Sequence, residues 1–234
     1  MIVRGLERSP EFEVHNENDR AAFHRFRLRP LPEIHRLVVR SRHAFVLFKP
    51  LCDSHRVAEL LDELGTPSPG RAIWVYRNFE ARARSSVAKF GDANLRALRL
   101  IAEGRGSELW QAGGLGPEHL DLLRSLGPDR LSPASAAALF WYLRNRLFFD
   151  LALDRRGDVI LVSYDAMIAE PERWMRAVAT FLGVAYRPDL VTHIERRGSG
   201  PRPIEIDPRV RDLCEELLVR LDEHLRGERG PEVE

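Results

Sequence analysis

The chain has 234 residues, of which 44% are hydrophobic and 30% are charged, and its 36 lysines and arginines nearly balance 35 acidic residues. These proportions are ordinary for a globular protein, so they exclude a disordered or collagen-like chain and allow one substantial core. The formal net charge of +1 gives no reason to expect a nucleic-acid partner.

Targeting and metal-binding signals are also missing from the sequence. No apolar run is long enough to span a bilayer, and the first ten residues, MIVRGLERSP, contain no signal-peptide core. The two cysteines lie far apart and the eight histidines show no ligand spacing, so we expect neither a disulfide framework nor a metal site. We therefore expect a cytoplasmic protein with no membrane partner and no metal cofactor.

Positive charge is concentrated in one stretch of the chain. Residues 20–43 contain seven arginines and three histidines but only one acidic residue, Glu33. Such a stretch could face an anionic ligand, or it could be a solvated surface that carries arginines.

The first strands are predicted in a strand–helix–strand pattern. Apolar runs at residues 44–48 and 72–76 predict two strands, and between them Asp53 and Ser54 predict the cap of a helix with an apolar face. This spacing is typical of a βαβ unit, in which the strands are parallel and the crossover is right-handed.

Helices and one further strand are predicted downstream. Residues 92–130 favour an inserted helical region, Ser132 predicts the cap of a long helix, and residues 159–162 predict another buried strand. One helix is expected to end at Gly183, and a last helix is expected to begin after Asp207.

This pattern predicts an α/β fold with a mainly parallel central sheet flanked by helices. We expect one domain over residues 1–226 and a frayed polar tail over residues 227–234.

Arg77 and Ser85 carry the first chemical signal. Arg77 directly follows the predicted strand 72–76, and Ser85 comes eight residues later in a predicted helix. Ligands of open α/β sheets bind beyond the carboxyl ends of strands, where a guanidinium offers a fork of donors suited to phosphate. A serine hydroxyl on the next helix can bind the same anion, so the pair predicts a site for a phosphorylated nucleotide. The alternative is a surface arginine and an ordinary helix serine.

Three segments together resemble the sulfotransferases that use 3′-phosphoadenosine 5′-phosphosulfate (PAPS). The segment YRNFEARARS, which contains Arg77 and Ser85, is similar to the 3′-phosphate-binding segment of that family. VILVSYDAM resembles the family's strand that ends in a tyrosine–acid pair, and the run Arg196-Arg197-Gly198 resembles its basic loop. The segments follow the family's order over about residues 45–198.

The resemblance implies a role for each matched residue in binding PAPS. Arg77, Ser85 and the loop residues Arg197 and Gly198 would bind the 3′-phosphate. Tyr164 would contact the adenine, although an ordinary tyrosine at the end of a strand is the alternative.

The resemblance also implies a catalytic base near the start of the chain. Glu17, in the polar stretch 16–19, matches the position of a glutamate base in part of the family. His15 and His24 are rival bases, and Lys49, at the exit of a strand, could reach the sulfate or the acceptor. The alternatives are a solvated turn and a plain surface lysine.

One part of the family pattern is missing from this sequence. Sulfotransferases begin with a strand and a loop, rich in glycine and hydroxyl residues, that cradles the 5′-phosphosulfate. MIVRGLERSP does not have that form. The resemblance therefore implies a P-loop NTPase-like sulfotransferase fold that is truncated at its N-terminus.

The expected activity is transfer of a sulfuryl group from PAPS to a hydroxyl or amine of an unknown acceptor, which could be a small molecule, a glycan or a peptide. The alternative is a non-catalytic nucleotide-binding or interaction module of the same fold. A nucleotide kinase is disfavoured because the sequence contains no Walker A loop.

Overall fold

The computed structural model describes residues 1–64, 69–195 and 203–227. The helices are, in chain order, α1 (Ile2–Leu6), α2 (Leu31–Arg40), α3 (Val57–Leu64), α4 (Phe79–Phe90), α5 (Ala93–Ala102), α6 (Pro117–Leu126), α7 (Pro133–Asp150), α8 (Tyr164–Ala169), α9 (Pro171–Leu182) and α10 (Pro208–Gly227). The strands are β1 (Phe12–His15), β2 (Phe23–His24), β3 (Arg27–Leu28), β4 (Phe45–Phe48), β5 (Ala72–Tyr76) and β6 (Val159–Ser163). None of the described helices combines the length and the apolar character that a membrane span needs.

The strands of the described residues form three pairs rather than the single central sheet that the sequence predicted. Within the described residues, β4 pairs with β1 and β5 pairs with β6, so the two strands of the predicted βαβ unit have different partners. β1 and β4 are parallel, with a register that runs from Phe12 opposite Phe45 to His15 opposite Phe48. The predicted α/β class is confirmed in this coarser form. The prediction of one central sheet was wrong for the described strands, because β4 pairs with a strand that the sequence did not predict. That strand, β1, is only four residues long and half polar, so it shows no apolar run.

β2 and β3 form an antiparallel hairpin that the sequence did not predict. Its register pairs His24 with Arg27, and only Arg25 and Phe26 lie between them. Both tip residues have positive φ, 48° and 67°. Two central residues of this kind are characteristic of a type I′ hairpin turn, which strongly prefers Asn-Gly.

Contacts divide the chain into two compact units, each built from two segments. Unit 1 comprises Met1–Trp74 and Gly157–Arg197, and unit 2 comprises Val75–Arg156 and Gly198–Glu234. The single domain over residues 1–226 stays a prediction, and residues 228–234 of the expected tail lie outside the described residues.

Two clusters of apolar side chains lie among the described residues of unit 1. The larger cluster lies among α1, β1, β6, α8 and α9, and its buried members are Ile2, Leu6, Phe12, Val162, Met167, Met175, Val178, Leu182 and Leu190. The smaller cluster joins the hairpin to α2 through Ala22, Phe23 and Ile34. Within MIVRGLERSP, residues Ile2–Leu6 thus form a packed helix, α1. Its Gly5 lies so close to the Leu190 carbonyl oxygen that a Cβ would stand 2.4 Å from it.

Unit 2 is organised around α7. α4, α5 and α10 pack against this helix, which is buried on most of its surface. α7 starts where Ser132 predicts it, because the serine Oγ accepts a hydrogen bond from the backbone N–H of Ser135. The predicted start of the last helix at Pro208 is confirmed as well.

Candidate functional site

Glu17 and Lys49 meet beyond the carboxyl edge of the parallel pair β1–β4 in unit 1. Because β1 ends at His15 and β4 ends opposite it at Phe48, the residues that follow both strands leave the sheet at one edge. The backbone N–H of Lys49 donates to the carbonyl oxygen of His15 at 3.1 Å. The Lys49 Nζ atom lies 3.9 Å from Oε2 of Glu17, and both side chains are partly open to solvent. The structure therefore brings the predicted base and the predicted lysine together.

The turn that carries Glu17 is held by hydrogen bonds on both sides. Asn16 donates from Nδ2 to Oε1 of Glu7 at 2.6 Å. Asp19 donates its backbone N–H to the carbonyl oxygen of Asn16, and its Oδ1 accepts from the backbone N–H of Ala21, both at 2.8 Å. Glu17 is thus carried by an ordered turn rather than by a loose solvated one.

His15, a rival base, is buried among carboxylates. Its Nδ1 atom shares a 2.5 Å hydrogen bond with Oδ2 of Asp19, and its Nε2 atom lies 3.2 Å from Oε1 of Glu13, without hydrogen-bond alignment. The imidazole stacks on Phe48 with ring centroids 5.1 Å apart. The hydrogen bond from His15 holds the pKa of Asp19 below its usual value. His15 is only 5% exposed and both of its imidazole nitrogens face acidic groups, so neither nitrogen is open to an acceptor, which favours Glu17 as the base.

His24, the other rival base, lies exposed on β2 in the hairpin. His24 is part of this hairpin, whereas Glu17 lies on the turn after β1. Among the described residues, no contact joins His24 to Lys49.

Arg77 leaves β5 at a junction whose backbone is fixed on both sides. We call residues 76–81 the β5–α4 junction. The indole Nε1 of Trp141, on α7, donates to the carbonyl oxygen of Arg77 at 2.8 Å. Asn78 caps α4 by accepting, at Oδ1, the backbone N–H groups of Glu80 and Ala81 at 3.0 and 3.1 Å. The arginine therefore starts from a defined position beside a capped helix N-terminus.

α10 secures both ends of this junction within unit 2. The hydroxyl of Tyr76 donates to Oδ1 of Asp222 at 2.5 Å. Nη1 of Arg211 lies 2.6 Å from Oε1 of Glu80, so the acidic residue at the start of α4 is already engaged by a cation. Supporting contacts of this kind hold a binding side chain in one geometry.

Arg82 is a further candidate at the β5–α4 junction that sequence analysis missed. Burial lowers the pKa of Arg82, and the positive charge of Arg77 lowers it further, so the two guanidiniums lie within electrostatic reach of each other. Ser85 follows Arg82 by three positions on α4 and therefore shares its face of the helix. The spacing of Arg82 and Ser85 was visible in the sequence, but the proximity to Arg77 required the structure.

The two strongest sequence candidates, Arg77 and Ser85, both lie in unit 2 on consecutive elements. Arg77 is half-buried and Ser85 is exposed. Their joint binding of one phosphate stays a prediction.

Tyr164 begins α8 directly after β6 and is half-buried. The helix is capped by Ser163, whose Oγ accepts the backbone N–H of Ala166 at 3.3 Å. The contact of Tyr164 with adenine stays a prediction. Arg197 and Gly198 lie outside the described residues.

Within residues 1–64, 69–195 and 203–227, no group of three or more His, Cys, Asp or Glu side chains could hold a metal ion. The acidic and imidazole groups around His15 are engaged with one another instead.

Comparison with protein-family models, curated proteins and solved structures finds no match to this chain. The sulfotransferase family therefore stays a prediction from the three sequence segments, and function has to be argued from the chemistry of the β1–β4 edge and of the β5–α4 junction.

Proposed function

We propose that the protein is a cytoplasmic sulfotransferase that moves a sulfuryl group from PAPS to a hydroxyl or amine of an acceptor. The observation that carries the proposal is the β5–α4 junction, where Arg77 stands beside a capped helix start and within electrostatic reach of Arg82. The parallel pair β1–β4 and this strand–arginine–helix junction support an architecture of the P-loop NTPase type, although the described strands form separate pairs and not one sheet.

The β5–α4 junction has the chemistry that a 3′-phosphate requires. A phosphate monoester carries up to two negative charges, and bidentate guanidinium contacts are among its strongest protein contacts. Arg77 and Arg82 would neutralise the charge, while the Ser85 hydroxyl would donate a further hydrogen bond. The N-terminal end of α4 adds the favourable field of its helix dipole. Bound phosphate would also relieve the repulsion between the two arginines.

The remaining roles follow the sequence resemblance. Tyr164 would contact the adenine, and Arg197 and Gly198 would close on the same phosphate. The acceptor is a small molecule, a glycan or a peptide with a nucleophilic hydroxyl or amine.

Glu17 and Lys49 supply the groups that the transfer step needs. The acceptor oxygen or nitrogen attacks sulfur and forms the new bond to it. The bond from sulfur to the bridging oxygen of the nucleotide breaks, and adenosine 3′,5′-bisphosphate leaves with the electron pair. The carboxylate of Glu17 takes the acceptor proton, and the Lys49 ammonium, 3.9 Å from that carboxylate, offsets negative charge on the sulfuryl oxygens.

One observation favours a second candidate, a protein that binds adenosine 3′,5′-bisphosphate without catalysis. Residues 1–10 contribute the packed helix α1 and not a glycine-rich phosphate loop. In this case the 3′-phosphate site at the β5–α4 junction would be retained while the 5′-phosphosulfate would lack a cradle of backbone N–H groups.

Calorimetric titration with adenosine 3′,5′-bisphosphate tests the shared nucleotide site. We expect saturable binding to the wild type and binding at least ~10-fold weaker in Arg77→Ala, because one charge-assisted phosphate contact is lost. Arg105→Ala is the matched control, since Arg105 lies in the same unit, is largely exposed and, among the described residues, pairs with nearby Glu103. Absence of binding to the folded wild type would contradict both candidates.

Transfer of labelled sulfate from PAPS to a panel of phenols, sugars and amines then separates the two candidates. Turnover with any acceptor supports the enzyme. Nucleotide binding with no turnover across the panel supports the non-catalytic protein.

A further inference from the structure

The β2–β3 hairpin is anchored at its base by a buried carboxylate. Asp53 is 1% exposed, and its Oδ1 atom accepts a hydrogen bond from Nε of Arg27 at 2.6 Å. Its Oδ2 atom accepts the backbone N–H of Leu28 at 2.7 Å. Phe23, on the other strand, is buried against Ile34 of α2. These contacts fix the hairpin firmly enough to hold an unfavourable turn.

The tip of the hairpin is strained and points apolar surface at solvent. Arg25 and Phe26 both have positive φ, which L-residues with side chains rarely adopt, and bulky residues least of all. Asn-Gly would fit the turn without this cost. The Phe26 side chain is nevertheless 56% exposed. This conformation lowers the stability of the protein and exposes a large aromatic ring to water. We therefore infer that the ring of Phe26 is retained because it contacts a partner.

Among the residues that the structure describes, several arginines close to the hairpin tip in the sequence, and others along α2, have no acidic partner. Arg27 and Arg29 are paired with Asp53 and Glu33. The other arginines of the stretch 20–43 form no ion pair within the part of the chain that the structure describes; they are Arg20, Arg25, Arg36, Arg40 and Arg42.

The outer face of α2 combines these charges with an exposed aliphatic group. Val39 is 67% exposed and follows Arg36 by three positions, so the two share one face of the helix. A shallow cavity of about 170 Å³ lies against the same helix, lined by Ala21, Glu33, Arg36, Leu37 and Arg40. The carboxylate of Glu33 is paired with Arg29, whereas Arg36 and Arg40 have no acidic partner among the described residues. Two like charges four residues apart repel each other on a helix, and an anion seated between them would remove that repulsion.

We propose that the hairpin tip and the basic face of α2 dock on the surface of an anionic phospholipid bilayer. Phe26 inserts at the level of the headgroups, Val39 lies against the acyl boundary, and the arginines contact the phosphates. The sequence predicted no membrane partner because it contains no spanning segment, but attachment to one leaflet needs no such segment. This inference does not depend on the proposed enzymatic function.

The exposed Val39 favours a bilayer over a nucleic acid. Arginine and phenylalanine can also bind phosphates and stack on bases in a single-stranded nucleic acid. An aliphatic side chain contributes no binding free energy through a phosphate contact or through base stacking. Its transfer into the interface of a bilayer, by contrast, is favourable because it buries apolar surface. Binding of a labelled oligonucleotide is therefore the competing outcome of the test.

Co-sedimentation with vesicles measures the proposed docking. The wild type should bind phosphatidylcholine vesicles that contain phosphatidylglycerol, bind pure phosphatidylcholine at least ~10-fold more weakly, and dissociate as salt screens the charges. The double variant Arg25→Asn/Phe26→Gly should lose vesicle binding by ~10-fold or more while its Tm rises by roughly 3–6 °C, because Asn-Gly suits the turn. A higher Tm with lost binding cannot be attributed to misfolding.

A pair of charge variants provides an independent arm. Arg36→Gln/Arg40→Gln should weaken binding to the anionic vesicles by ~10-fold. The control Arg173→Gln/Arg187→Gln removes the same charge from unit 1, at arginines already paired with Glu170 and Asp189, and should change binding less than ~2-fold.

Three results would overturn the proposal. They are failure of the wild type to bind anionic vesicles, equal binding by Arg25→Asn/Phe26→Gly, and binding of a labelled single-stranded oligonucleotide without any binding to vesicles.

Discussion

Trp141 donates its indole N–H to the backbone carbonyl oxygen of Arg77, across 64 positions of the chain and at 2.8 Å. The bond ties the point where the arginine leaves β5 to α7, the most buried helix of unit 2. The bond therefore fixes the backbone of Arg77, whose side chain is expected to bind a phosphate. The indole N–H of Trp141 is used in this bond, so we assign Trp141 a positioning role and not a contact with the ligand.

Replacing this indole tests whether the positioning matters. Trp141→Phe leaves the Arg77 carbonyl without its donor and creates a small cavity, so the free energy of unfolding should fall by roughly 2–3 kcal/mol. Binding of adenosine 3′,5′-bisphosphate should weaken by ~3–10-fold, because the guanidinium loses its fixed origin. Urea unfolding and calorimetric titration provide the two numbers.

Trp174→Phe is the control for this prediction. Within the described residues, the indole nitrogen of Trp174 is buried without a hydrogen-bond partner. Its removal should therefore cost less than ~1 kcal/mol and leave nucleotide binding unchanged. Equal effects of the two substitutions on binding would show that the Trp141 bond plays no positioning role.

Arg82 should stabilise the bound state and destabilise the free protein. Its pKa is lowered first by burial and then by the charge of Arg77, so the cation is unfavourable where it lies. Arg82→Gln is expected to raise the free energy of unfolding by up to about 1 kcal/mol and to weaken binding of adenosine 3′,5′-bisphosphate by ~10-fold. Thermal denaturation with and without the nucleotide shows both effects, and a variant that is less stable yet binds normally would contradict this role.

Asp19 should contribute stability that depends on pH. Its pKa in the folded protein is lowered from 3.8, chiefly by the hydrogen bond from His15, so the folded state binds this proton more weakly than the unfolded chain. Stability from this group is therefore fully present above the unfolded value and is lost as pH falls through the lower folded value. Asp19→Asn should cost roughly 1 kcal/mol at pH 6, and the difference from wild type should shrink towards pH 2.

The exposed Asp212 on α10 provides the comparison for this pH profile. Asp212→Asn should change the free energy of unfolding by less than ~0.5 kcal/mol at each pH. A constant difference between Asp19→Asn and wild type from pH 6 to pH 2 would contradict the assigned role of the His15–Asp19 bond.

Glu17 should affect the rate of transfer without affecting nucleotide affinity. Glu17→Gln removes the proton acceptor but keeps the size of the side chain, so turnover should fall by ~10²–10⁴-fold while the Kd for adenosine 3′,5′-bisphosphate stays within ~2-fold. Glu63→Gln changes an exposed glutamate on α3 in the same unit and should leave both quantities unchanged. Turnover that survives in Glu17→Gln would remove the carboxylate from the mechanism.

Local signals in the sequence predicted the helix ends well. Ser132 begins α7 through its own hydroxyl, and Gly183 ends α9 with a φ of 75° that favours glycine. Asp53 was interpreted as a helix cap, but its buried carboxylate binds Arg27 and Leu28 instead. Caps and stops depend on neighbouring residues, so they can be inferred from a short window, whereas a long-range ion pair cannot.

The pairing of the strands and the proximity of charged side chains could not be predicted from the sequence. The hairpin was not predicted because Arg25 and Phe26 are among the residues least suited to its turn. Arg82 was passed over because its relation to Arg77 depends on how α4 leaves the strand. Glu17 and Lys49 were proposed separately, and only the parallel register of β1 with β4 places them at one edge.

The most direct test of the nucleotide site compares two ligands that differ only in the 3′-phosphate. In the wild type, adenosine 3′,5′-bisphosphate should bind ~10–100-fold more tightly than adenosine 5′-phosphate, because charged hydrogen bonds to the extra group are gained. In Arg77→Ala that preference should fall by ~10-fold, because the contacts from Arg82 and Ser85 remain, while Arg105→Ala should retain it in full. A preference that is equally large in Arg77→Ala and in the wild type would place the 3′-phosphate elsewhere and contradict the assignment of the β5–α4 junction.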